Sequence, residues 1–153
     1  MPTLLSAPVR MLLRTDGSVT SLLEAAFDAP VEVEPVANFV DHRLPTPVEL
    51  DLEPGRPVLW RHVVLHVAGR PALRASSVLA LDRLDTRACT RLLDGIEPIG
   101  RILARLETRR ELLAITEEDG EYERISRIIG AGRPLAVVTE RIPASIFDAC
   151  CEP

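Results

Sequence analysis

Two apolar runs are each interrupted by a charged residue where an aliphatic side chain is expected. Pro134-Leu135-Ala136-Val137-Val138-Thr139 leads into Glu140 and ends at Pro143. Read as a strand, it puts Ala136, Val138, Glu140 and Ile142 on one face. In Trp60-Arg61-His62-Val63-Val64-Leu65-His66-Val67, Arg61 shares its face with Val63, Leu65 and Val67. A charge on an apolar face is costly without a partner. Two readings follow. Arg61 and Glu140 form an internal salt bridge that satisfies both, or each is kept for a bound ligand, with Arg61 taking a ligand carboxylate.

Other chemistries lack their residues. The basic residues are all arginine, glutamine is absent, and Asn38 is the only asparagine, a bias expected of a GC-rich genome. Without lysine there is no Schiff base, pyridoxal-phosphate anchor or P-loop cation. His62 and His66 share a strand face, but with three histidines in all and no Cys or Asp at ligand spacing they do not read as a metal pair. No serine lies in a G-x-S-x-G elbow, and Glu117-Glu118-Asp119-Gly120-Glu121 is an acidic turn without EF-hand spacing. Neither a metal nor an organic cofactor is expected.

Three cysteines, Cys89 and the adjacent Cys150 and Cys151, form no disulfide framework, and no secretory signal is evident, so the expected location is a reducing cytoplasm. The Leu4-Leu5 and Met11-Leu12-Leu13 patches are too short for a membrane span. A net charge of -5 and 3% aromatic residues argue against general affinity for nucleic acid or membrane surfaces. An anionic small molecule would need a local arginine-lined pocket.

The elements that must position Arg61 and Glu140 are mostly strands. Val58 to Ala68, a turn at Gly69-Arg70-Pro71, and Ala72 to Asp82 form one hairpin. Tyr122 to Ile129, a turn through Gly130-Ala131-Gly132-Arg133-Pro134, and Leu135 to Ile142 form another. Val31 to Val40 is a strand that Pro35 assigns to an edge or a bulge. Residues 41–57, with Pro45, Pro47, Pro54 and Pro57, form a surface crossing. Ser18 or Thr20 caps a helix with the stripe Leu22, Leu23, Ala26 and Phe27. Asp85 caps a second helix running to Leu93, and Glu97-Pro98-Ile99-Gly100 starts a third with Ile102, Leu103 and Leu106 buried. Leu106 to Thr116 carries both signals and is assigned to a strand. The expected fold is α+β: residues 1–153 as a single domain, with one antiparallel β-sheet and helices packed on one side.

These segments, in this order, resemble the chorismate pyruvate-lyase family, and its shorter actinobacterial branch in particular. The resemblance rests on Leu12-Leu13 followed by Gly17-Ser18-Val19-Thr20, the Trp60–Leu65 strand with its Gly69-x-Pro71 turn, and Glu97-Pro98-Ile99-Gly100-Arg101. It continues through Arg124-x-x-Arg127, Gly132-Arg133-Pro134-Leu135 and Val138-Thr139-Glu140-Arg141-Ile142-Pro143-Ala144-Ser145. It implies a cofactor-independent carbon–oxygen lyase acting on chorismate, with pyruvate and 4-hydroxybenzoate as products.

The resemblance also implies roles. Arg61 grips the ring carboxylate, aided by the backbone N–H at Ile99 beside Gly100. Val19 lines the pocket, and Glu140 faces the ring hydroxyl. Ser76 stands where the longer enzymes of the ubiquinone pathway carry an arginine, so the enolpyruvyl carboxylate needs another partner. Arg124 and Arg127 are candidates, and Arg127, sharing a face with Ile125 and Ile129, is preferred. Two alternatives stay open. One is a lyase for another chorismate-derived acid. The other is a non-catalytic aromatic-acid sensor, because UTRA-like effector domains of bacterial regulators share the implied fold. Few residues precede the first family motif here, which weighs against a sensor with a leading DNA-binding segment.

Overall fold

The computed structural model describes residues 6–15 and 18–148. Leu4-Leu5, the Asp16-Gly17 turn and Cys150-Cys151 lie outside the described residues. Six strands form one antiparallel sheet in the order β1-β2-β3-β6-β5-β4. They are β1 (Val31–Asp41), β2 (Val58–Val67), β3 (Arg70–Ala80), β4 (Thr108–Glu118), β5 (Glu121–Gly130) and β6 (Arg133–Pro143). The ambiguous segment after Leu106 is therefore the edge strand β4, where pairing with β5 overrides the helical character of Arg109-Arg110-Glu111.

Three hairpins share one turn chemistry. Ala68-Gly69, Asp119-Gly120 and Ala131-Gly132 each place two residues at positive φ. That backbone twist matches the twist of the flanking strands, and glycine adopts the second position without steric cost. The acidic turn at Asp119-Gly120 closes the β4–β5 hairpin, which the sequence reading did not pair.

Each strand pair made by consecutive strands slips by one residue. The register shifts at Pro35/Ala37, Leu65/His66, Leu112/Ala114 and Ile128/Ile129. Because side chains alternate with a period of two, a one-residue slip changes which residues share a face with the partner strand. The consequences fall on the site.

The α-helices cover one face of the sheet, as expected: α1 (Ala7–Arg14), α2 (Val19–Phe27), α3 (Thr86–Asp94) and α4 (Ile99–Leu103). Helix α1 was not anticipated. Its Val9, Leu12 and Leu13 are buried with Leu23 of α2 against Val63, Leu65, Tyr122 and Ile142. On α2, Ala26 is exposed, so the buried stripe is narrower than the sequence suggested. Helices α3 and α4 make a second cluster, with Leu92 and Ile102 against Leu59, Leu79 and Val138. Burying each such side chain contributes about 1.5–3 kcal/mol. A 3-10 turn at Val48–Leu50 covers part of the opposite face, where Leu50 meets Val58, Val78 and Val137.

The helix starts follow from their caps. Ser18 Oγ accepts the Ser21 N–H at 3.1 Å, and an Asp85 carboxylate oxygen accepts the Ala88 N–H at 2.7 Å. At the end of α3, Asn38 from the edge strand donates to the carbonyls of Leu92 and Leu93 at 3.2 and 2.9 Å. Gly95, at φ 76, lets that amide approach; a Cβ there would meet Asn38 Nδ2 at 3.2 Å.

Candidate functional site

Between the two apolar clusters of the helical face runs a buried polar stripe: Thr20, Arg61, Ser77, Arg124, Ser126 and Glu140. Strand register assembles it. Arg61 opposes Ser77, Ser77 opposes Val138, and Val138 opposes Ser126. One pair along, Val63, Ala75, Glu140 and Arg124 form a parallel row across the same strands. Directly opposed residues point to the same side, so the row brings Glu140 against Arg124.

A narrow, enclosed cavity of about 30 Å³ lies over this stripe. Arg61, Glu140 and Arg110 contribute charge to its wall, and Ser77, Val63 and Val138 form the floor. Its roof is made by the starts of two helices, Ser18-Val19-Thr20 of α2 and Pro98-Ile99-Gly100 of α4. The two starts fit closely: a Cβ on Gly100 would lie 3.4 Å from Ser18 Oγ. Both Val19 and Ile99 are first residues of their helices. A backbone N–H at that position has no acceptor within the helix, and helix starts favour anions.

Arg61 is 2% exposed. Its Nη2 donates to the Glu97 carbonyl, while Nε and Nη1, both buried, have no hydrogen-bond partner among the described residues. Burial pushes the guanidinium below its ordinary pKa, and the Glu97 charge opposes that shift. Glu97 is fixed by Arg91, whose Nε lies 2.9 Å from Oε1 and whose Nη2 bonds Oε2. That bond holds the Glu97 carboxyl below its usual range. The loop before α4 is thus braced from α3 and in turn orients Arg61.

Glu140 has other partners. Its Oε1 lies 3.2 Å from Arg110 Nη1 and 3.8 Å from Arg124 Nη1. Arg110 also donates to Ser126 Oγ at 3.2 Å. Arg124 donates to the Leu12 carbonyl at 3.1 Å and to that of Thr15, at the end of α1. No ion pair joins Arg61 to Glu140 among the described residues, so the internal salt bridge weighed from the sequence is replaced by an arginine pair around the carboxylate.

Arg61, Glu140, Val19, Ile99 and Gly100 all line this one cavity. Arg127 does not, and its place as a ligand residue is corrected. It points from the opposite face to Glu111, at 3.0 and 3.1 Å, and to the Glu49 carbonyl at 3.2 Å. The slip at Ile128/Ile129 is the cause: it sets Arg124, and not an odd-numbered neighbour, opposite Glu140. The slip at Leu65/His66 acts likewise on β3. Ser77 faces Arg61, while Ser76 turns away and lies 2.7 Å from His62 Nδ1. Arg110 was missed. Its signal, a charge opposite Ile128 on a strand, lay in the segment whose secondary structure was ambiguous.

A larger, open cavity of about 590 Å³ lies elsewhere, bounded by Glu34, His66, Arg74, Glu121 and Arg141. Most of these charges are already paired: His66 with Glu34 at 2.6 Å, Arg74 with Glu121 at 2.9 Å and Arg141 with Glu123 at 3.1 Å. No group of three or more His, Cys, Asp or Glu residues among the described residues is placed to hold a metal. No helix among them is long and apolar enough to cross a membrane.

A sequence-family profile described as Rv2949c-like chorismate pyruvate-lyase matches residues 13–146. A chorismate pyruvate-lyase of Mycobacterium tuberculosis is 28% identical over 166 residues, covering 94% of this chain and 83% of that protein. One from Mycobacterium leprae is 28% identical over 164 residues, covering 94% and 78%. Among solved structures, the effector domain of PhnF from Mycobacterium smegmatis superposes with a TM-score of 0.63 at 13% identity, over 83% of this chain and 88% of that one. The C-terminal domain of a Pseudomonas syringae histidine utilization repressor gives 0.52 at 13% identity, over 75% and 92%. At these identities the likeness to the regulators is one of fold.

Proposed function

The chain belongs to the Rv2949c-like chorismate pyruvate-lyase family, and from that premise we propose that it converts chorismate to 4-hydroxybenzoate and pyruvate in the enclosed cavity. The observation that carries the reading is Arg61: a guanidinium at 2% exposure with two buried nitrogens unpartnered among the described residues, lining the same cavity as Glu140. An unmade buried donor costs about 1–3 kcal/mol. A ligand carboxylate on Nε and Nη1, with the Ile99 N–H beside it, would meet both donors. Val19 and Val63 would flank the ring, and Gly100 keeps the roof clear of a side chain.

The reaction breaks the ether bond between the ring and the enolpyruvyl oxygen, and the bonding pair leaves with that oxygen. The hydrogen on the hydroxyl-bearing carbon is lost as a proton, and its electron pair completes the aromatic ring. Enolpyruvate takes a proton on its methylene carbon to become pyruvate. One chorismate gives one of each product, with no co-reactant. Aromatisation makes the step downhill, so what the protein supplies is alignment and electrostatic stabilisation. In this reading Arg61 and Ile99 fix the carboxylate end, and Glu140 receives the ring O–H and aligns the adjacent C–H for loss.

The fold shared with regulator effector domains supports a second reading, a domain that binds an aromatic acid without turnover. Incubation with chorismate, without added metal or cofactor, separates the two. Equal amounts of pyruvate and 4-hydroxybenzoate above the uncatalysed rate are expected. Pyruvate with another aromatic product points to a sister lyase. Neither product, with 4-hydroxybenzoate still raising the Tm, favours the binding domain.

A further inference from the structure

Three observations converge on Arg110. It lines the enclosed cavity and also a neighbouring open one of about 220 Å³, and the two share Ser18 and Gly100 as well. Arg110, Ser18 and Gly100 are therefore the partition between the buried site and the surface. The enclosed cavity, about 30 Å³, has room for a water or two but not for an aromatic ring. Part of the partition must move for a ligand to enter.

Arg110 is the member built to move. It stands on β4, an edge strand with a single neighbour, two residues before the register slip at Leu112/Ala114. Its contacts are side-chain hydrogen bonds to Glu140 and Ser126, each 3.2 Å. Arg124, by contrast, is tied to backbone carbonyls at the end of α1 and is fully buried. Charge adds a further constraint. On the cavity wall, Arg61 and Arg110 set two positive charges against the one negative charge of Glu140. Chorismate carries two carboxylates. Arg61 is placed for the first, and Arg110 is the other cationic side chain on the cavity wall.

We propose that Arg110 is the movable wall and the second carboxylate receptor: it leaves Glu140 as substrate enters from the open cavity and takes the enolpyruvyl carboxylate. This rests on the lyase reading. Loss of enolpyruvate removes that carboxylate, and Arg110 returns to Glu140. The residue then discriminates a dicarboxylate substrate from its monocarboxylate aromatic product.

The experiment compares R110A and R110K with the unmodified protein, measuring KM for chorismate by pyruvate release and Kd for 4-hydroxybenzoate by calorimetry. A lost charge-assisted bond of this kind corresponds to roughly a 10- to 100-fold rise in KM for R110A. The product Kd should change less than about threefold, and R110K should recover part of the KM. A residue that merely holds the fold would move both constants together, and that result would overturn the proposal. So would a KM unchanged in R110A. Absence of pyruvate from the unmodified protein would instead overturn the lyase reading, and this proposal with it.

Discussion

Replacing Arg61 with methionine should strengthen the fold while weakening the site. Met has similar length and no polar atom to satisfy. Among the described residues the native guanidinium makes one bond, to the Glu97 carbonyl, and Nε and Nη1 are buried without partners. Two unmade donors cost about 1–3 kcal/mol each, and the lost charge-assisted bond contributed about 1.5–3 kcal/mol. The balance favours Arg61→Met by roughly 1–3 kcal/mol, in line with the stabilisation often seen when buried ions are replaced by apolar groups. For a domain of this size that is a rise in Tm of roughly 3–9 °C. Affinity for 4-hydroxybenzoate should fall by roughly 10- to 150-fold, the worth of a charge-assisted pair. Thermal unfolding with and without 4-hydroxybenzoate reads both effects: the ligand should raise the Tm of the native protein and leave that of the variant almost unmoved. A variant that melts several degrees lower and binds as before would make Arg61 a structural brace and not a ligand receptor.

Glu140 should behave in the opposite sense. Glu140→Ala removes a counter-charge from Arg124, which is fully buried, and from Arg110, 10% exposed; because Arg124 keeps its carbonyl partners, the loss should be near the low end of the range for a broken buried pair, roughly 3 kcal/mol. Glu140→Gln should melt closer to the native protein and still lose most pyruvate release, whereas wild-type turnover in that variant would remove Glu140 from the chemistry. Arg127→Ala, on the far face, should leave KM unchanged and shift stability by at most about 1 kcal/mol; a KM increase of tenfold would return Arg127 to the site. The Glu97 and Glu24 carboxyls are held below their ordinary range, chiefly by bonds from Arg91 and Arg101. Their stabilisation is therefore present above about pH 4.3 and lost as pH falls through the lowered values; Tm against pH should drop on the acid side, and Glu97→Gln should flatten that drop.

Arg61 and Glu140 were legible because each broke a period-two apolar pattern, and that pattern names a face without any knowledge of the partner strand. The helix start at Ile99 was legible from Pro98 before it, and the cap of α2 was narrowed to Ser18 or Thr20, of which the structure uses Ser18. What the pattern does not carry is the phase between strands. A slip at Ile128/Ile129 turned Arg124 toward Glu140 and Arg127 away, and a slip at Leu65/His66 exchanged Ser77 for Ser76. Such a bulge breaks the alternation only where it sits, beside the turn, as at Ala72-Leu73 and Leu135-Ala136, and the rest of each strand reads as regular. Arg110 was hidden for a second reason. Its neighbours Arg109 and Glu111 suit a helix, and only pairing with β5 makes the segment a strand. Helix α1 is short and carries two arginines, so its buried side, Val9, Leu12 and Leu13, emerges only once the sheet is present to receive it.

A crystal structure with 4-hydroxybenzoate bound would show whether Arg61 and Glu140 hold the two ends of the ligand. The carboxylate should lie on Arg61 Nε and Nη1 with the Ile99 N–H, and the hydroxyl on Glu140, within the cavity roofed by the starts of α2 and α4. A ring seated instead in the open cavity beside His66, Arg74 and Arg141, with Arg61 still unpartnered, would contradict it.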